Sequence, residues 1–117
     1  MELSDEVFDD LVARALDLIP ADLTALMDNV VVLVEDDPPP PEPADILGLY
    51  VGVPLTDRGG PWDSMRLPDT VYVFRHPILA ICDTLEDVVV EIVITVVHKI
   101  AHHFGIDDER LLDLGWG

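Results

Sequence analysis

Leu85-Glu-Asp-Val-Val-Val-Glu-Ile-Val-Ile-Thr-Val-Val-His-Lys-Ile-Ala-His-His-Phe104 is the stretch whose reading decides the fold. Propensity alone favours a strand, because Val88-Val89-Val90 and Ile92 to Val97 are almost entirely β-branched. Two features favour a helix instead. About twenty residues exceed the usual length of a strand. The segment is also bracketed by helix end signals: Thr84 with Asp87 three residues on is a loose capping box, and Gly105 stands where a C-terminal cap glycine belongs. A helix apolar on nearly all sides must be buried nearly all round, which makes it the central helix of a small domain.

The end of this helix carries the candidate chemistry. It reads His98-Lys99-Ile100-Ala101-His102-His103-Phe104-Gly105-Ile106-Asp107-Asp108. Residues four apart project from one helix face, so the imidazoles of His98 and His102 can reach one ion. Gly105 permits a sharp turn at positive φ that can swing Asp108 back as a third, oxygen ligand. Two imidazoles and a carboxylate suit Zn²⁺ best and leave a fourth position for water, although nickel, cobalt or iron would accept the same set. His103 is expected beside the ligands or packed on Trp116, Asp107 as a helix cap, and His76 as a loop residue.

Outward from that helix, the N-terminal part predicts a first helix from an N-cap at Ser4, with Val7, Phe8, Leu11, Val12, Ala15 and Leu16 forming its apolar stripe. Pro20 suits the first turn of a short second helix carrying Leu23, Leu26 and Met27. Val30 to Glu35 reads as a buried strand. Residues 36–45, with four consecutive prolines, form a stiff Pro-rich loop within the domain. Ile46 to Val53 reads as a second strand in which Gly48 and Gly52 mark close approaches to backbone. Pro54 to Asp69 is a long loop, Thr70 to Arg75 an alternating third strand, and Ile78 to Cys82 a short helix after the His76-Pro77 break. The fold class is therefore α+β: residues 1–117 as a single domain, with a small mixed β-sheet packed on a long central motif helix.

Composition narrows the partners. The chain has 117 residues, 24 acidic and 6 basic, for a formal charge of −18, and half of its residues are hydrophobic. Such a field repels nucleic acid and anionic membrane surfaces and attracts cationic peptides, proteins and metal ions. Cys82 is the only cysteine, which excludes an intramolecular disulfide and a thiolate zinc cage. The densest apolar run, Val88 to Val97, is too short to span a bilayer and contains Glu91. The N-terminal Met1 to Glu6 carries acids where a signal peptide carries positive charge. A cytoplasmic location is the expectation.

The motif resembles that of the zincin metallopeptidases, in particular their minimal, compact members, whose signature is H-E-x-x-H-x-x-G-x-x-D. Supporting similarity runs through Leu67-Pro68-Asp69, Val71 to Phe74, Pro77-Ile78-Leu79, Thr95-Val96-Val97 and Asp107 to Trp116. The resemblance implies His98, His102 and Asp108 as zinc ligands, Gly105 as the turn, and an edge strand beside the motif helix that accepts an extended peptide, for which Thr70 to Arg75 is the candidate. Tyr72 and Trp62 would then line the substrate cleft. One position departs from the signature: Lys99 replaces the glutamate that manages protons during peptide hydrolysis. Lysine is ordinarily an ammonium with three donors and no acceptor, so hydrolysis is expected to be weak or lost. The readings that follow are a zinc metallopeptidase, a pseudoenzyme that captures metal and peptide without cutting, and an acidic interaction domain with an incidental histidine pair.

Overall fold

The computed structural model describes residues 1–52, 68–106 and 109. Its elements follow the periodicity closely at the N-terminus. Ser4 caps helix α1 (Asp5–Asp17) by accepting a hydrogen bond from the Val7 amide, and Asp5 and Glu6 occupy the first turn, where they complement the helix dipole. Phe8, Leu11, Val12 and Ala15 are its buried stripe. Pro20 precedes helix α2 (Ala21–Thr24), which continues as a single 3₁₀ turn through Met27.

Three strands form a mixed sheet: β1 (Val30–Glu35), β2 (Gly48–Val51) and β3 (Asp69–Phe74). The order is β1-β3-β2, with β1 parallel and β2 antiparallel to β3. This order corrects one expectation: the third strand is central, with both of its sides already paired, so it cannot accept a further strand. The second strand is also shorter than Ile46 to Val53. The first is not buried on both faces but alternates, leaving Val31 39% and Leu33 47% exposed, as suits an edge strand with one face toward the core.

Arg75, expected to end the third strand, instead opens helix α3 (Arg75–Ile81), which also takes in His76 and accommodates Pro77 in its first turn. The Arg75 guanidinium reaches the Asp36 carboxylate at 2.9 Å, the Leu3 carbonyl at 2.9 Å and Asp5 at 3.2 Å. His76 Nδ1 lies 3.0 Å from Asp37. The start of the Pro-rich loop and the N-terminal segment are thereby fastened to the same helix.

The long β-branched stretch is helix α4 (Leu85–His103), opened by a complete capping box between Thr84 and Asp87. Packing overrides strand propensity here. Val88, Ile92, Val96, Val97, Ile100 and Ala101 are at most 1% exposed against α1 and the sheet residues Val71 and Val73. Burial is not complete all round, since Val90 is 48% exposed. Cys82 lies in the same core, and burial pushes its thiol pKa up, which makes it an unreactive packing residue. No helix among the described residues is long and apolar enough to cross a membrane.

Candidate metal and peptide site

The last turns of α4 carry His98 and His102, and the chain then reverses. Ile106 donates its amide to the Ala101 carbonyl at 2.8 Å and Gly105 to His102 at 3.3 Å, the double bond pattern of a Schellman cap. Gly105 has φ +78°, the conformation the sequence requires of it, and no neighbour would contact a Cβ there. Glycine is needed for its backbone and not for space. Ile106 packs back against the core, which fixes the direction in which the chain leaves the helix.

The imidazoles of His98 and His102 lie one turn apart with ring centroids 6.0 Å from each other and planes 26° apart. An ion about 2.0–2.1 Å from a ring nitrogen sits roughly 3 Å from that ring's centre, so two rings sharing it have centres at most about 6 Å apart, or about 5 Å at a tetrahedral angle. The pair stands at the outer edge of that range, and a side-chain rotation that closes it by about 1 Å would seat one ion. His98 is half-buried and His102 exposed, so an ion could enter from solvent. Asp108, the expected third ligand, lies outside the described residues, as do Trp62, Trp116 and Asp107. Among the described residues no three metal-ligating side chains converge.

The strand beside the motif helix is β2. A Cβ on Gly48 would sit 2.6 Å from Thr95 Cγ2, 2.8 Å from the Tyr72 carbonyl oxygen and 4.0 Å from Lys99 Cγ. A Cβ on Gly52 would sit 3.4 Å from His103 Cε1. Thr95, Lys99 and His103 are spaced four apart and therefore form one row along the helix, and β2 runs along that row. Gly48 does mark a close approach, to α4 and to the backbone of β3, whereas a Cβ on Gly52 would meet only ordinary contacts.

Two residues that local patterns did not single out complete this side. Tyr50 of β2 stacks on His103, with centroids 3.9 Å apart and planes 14° apart, and donates its hydroxyl to Asp69 Oδ2 at 2.7 Å. Asp69 is only 6% exposed, and His103 Nε2 lies 3.7 Å from the same carboxylate oxygen. His103 thus packs on Tyr50. Tyr72, expected in the cleft, is turned the other way: it lines a depression with Glu35, Pro39, Leu49, Val51 and Phe74 on the sheet face opposite α4. Period-two alternation accounts for this, since Val71 and Val73 on either side of Tyr72 point into the core.

A model of the zincin-like metallopeptidases matches residues 27–116. The chain belongs to this family. Among solved structures, the zincin-like chain is similar to a conserved hypothetical protein from Thermo thermophilus, with a TM-score of 0.60 and 25% identity over 87% of this chain and 94% of that one. No curated protein matches it. The family match covers β1 to β3 and the whole of α4.

Proposed function

We propose that this zincin-like chain holds a divalent transition metal, zinc foremost, through His98, His102 and Asp108, and that it engages extended peptides along β2 with hydrolysis weak or lost. The observation that carries this reading is the placement of the two imidazoles, a helical turn apart at 6.0 Å, three residues ahead of a positive-φ glycine. A side-chain rotation that closes the pair by about 1 Å would bring the two rings onto a shared ion, and Gly105 allows a turn after which a carboxylate three residues on could return toward the rings. When bound, the metal would supply Lewis acidity toward a peptide carbonyl and a water.

The chain's own residues divide the remaining work. An edge strand can receive an extended peptide through main-chain hydrogen bonds, and β2, the edge strand next to α4 among the described residues, is in the position for it. Thr95, Lys99 and His103 line the helix side of that strand. Lys99 stands at the proton-handling position and offers donors only. General acid–base assistance typically contributes about 10²–10⁴-fold to rate, so the substitution lowers turnover by that order while leaving metal and peptide binding. The charge of −18 favours cationic peptides or proteins and disfavours nucleic acid and anionic membrane surfaces as partners.

The test is zinc content and peptide cleavage of the wild type, His98→Ala and Lys99→Glu. Wild type should carry zinc, His98→Ala should lose it, and Lys99→Glu should cleave a peptide mixture about 10²–10⁴-fold faster than wild type. Wild-type cleavage at the rate of Lys99→Glu, abolished in His98→Ala, would refute the loss of activity. Absence of zinc from wild type would leave only the acidic interaction domain.

A further inference from the structure

We propose that Lys99 makes this site a receptor for a carboxylate, specifically the free C-terminal carboxylate of a peptide, held between the Lys99 ammonium and a metal on His98 and His102. The inference rests on the metal reading above and goes beyond it by naming the ligand group.

Three observations carry it. Lys99 follows His98 directly and lies three residues before His102, a spacing that puts its Cβ about 5–6 Å from that of His102 on neighbouring rows of the helix. Its side chain is half-buried, with Cγ 4.0 Å from where a Cβ on Gly48 would stand, so its stem faces β2 at Gly48. It also makes no ion pair with any described residue, in a chain with 24 acidic side chains. A lysine next to His98 in the helix and without an ion pair among the described residues is a positive site suited to an external anion.

The sign of the charge decides which anion-bearing ligand gains. A glutamate at this position repels a carboxylate approaching the metal, whereas a lysine attracts it, a change of two charge units at a half-buried position. A peptide lying along β2 passes Gly48, against which the Lys99 stem packs. A chain ending there presents its terminal carboxylate to the ammonium, whereas a chain continuing past it presents a neutral amide. The same site therefore selects peptide ends over peptide interiors.

The experiment is calorimetric titration of zinc-loaded protein, with loading confirmed by elemental analysis, against Ac-Ala-Ala-Ala-OH, Ac-Ala-Ala-Ala-NH2 and Ac-Ala-Glu-Ala-NH2. Wild type should bind the free acid at least tenfold tighter than either amide. Lys99→Arg should keep that preference, and Lys99→Met should lose it while still loading zinc. Equal binding of acid and amide by zinc-loaded wild type, or a preference that survives in Lys99→Met, overturns the carboxylate site and leaves the metal reading standing. Equal binding of the internal-glutamate peptide and the free acid overturns the assignment to a chain terminus. Failure of wild type to load zinc removes both.

Discussion

The His103 ring lies almost parallel to the Tyr50 ring, 3.9 Å away, while the Tyr50 hydroxyl is bonded to the nearly buried Asp69. One tyrosine thus ties the edge strand to the end of the motif helix and to the first residue of the central strand. The stack and the hydroxyl bond are separable by mutation. Tyr50→Phe keeps the stack and removes a hydrogen bond to a buried carboxylate, which should cost about 1.5–3 kcal/mol. Tyr50→Ala should cost more, because the ring's packing goes as well. Urea unfolding checks both, and a Tyr50→Phe midpoint equal to wild type would show that the hydroxyl is dispensable to the fold.

Gly48 and Gly105 are glycines for different reasons, and alanine should separate them. At Gly48 a Cβ would lie 2.6 Å from Thr95 Cγ2 and 2.8 Å from a backbone carbonyl, so Gly48→Ala must push β2 off α4. A cost of about 1–3 kcal/mol is expected from such overpacking. At Gly105 space is open and only the backbone objects, at φ +78°. Gly105→Ala should cost about 1–2 kcal/mol, and Gly105→Asn distinctly less, since asparagine tolerates the left-handed region. The Thr95→Ala background should recover part of the Gly48→Ala loss and none of the Gly105→Ala loss, as thermal melts would show.

These two glycines also show how much could be read from sequence. The motif helix was legible because its length and end signals outweighed its β-branched composition. The close approach at Gly48 was legible because a glycine inside a strand has few other uses. What it approached was not, because strand order is a long-range property that alternation does not encode. Thr70 to Phe74 alternates equally well as an edge or as the centre of a sheet, and it proved central. Tyr72 was placed on the wrong side for the same reason: alternation separates two faces without saying which one meets the helix. Tyr50 and Asp69 lie nineteen residues apart and meet only through sheet pairing. The one local hint was an acid at the start of a β-branched strand.

The bond between Arg75 and Asp36 predicts a pH dependence with a definite sign. The Arg75 guanidinium, through its hydrogen bond and its charge, holds the Asp36 carboxyl below the ordinary value of 3.8. A carboxyl lowered in the folded state contributes stability that is present above its unfolded pKa and is lost as pH falls through the folded one. Asp36→Asn should therefore lower the melting temperature by a constant amount above about pH 5 and converge with wild type as the pH drops below about 4. Asp36 is exposed, so the difference should shrink in high salt. An offset that does not shrink at all as the pH falls below the ordinary carboxylate value would assign the effect to the loop's packing instead.

Metal removal should leave the fold intact. The core of Phe8, Val71, Ile92, Val96 and Ile100 is buried without help from the histidines, and the end of α4 is closed by its own Schellman bonds and by Ile106. The apoprotein should accordingly melt cooperatively, with far-ultraviolet circular dichroism matching the zinc-treated protein. Zinc at about a hundredfold excess over its dissociation constant should add about 2.7 kcal/mol, because an ion that binds only the folded state stabilises it by mass action. The increment should vanish in His98→Ala and His102→Ala and persist in His103→Ala, whose ring is engaged with Tyr50. An equal loss in His103→Ala would place that imidazole on the ion, and an unfolded apoprotein would mean that metal, rather than the apolar core, organises the helix end.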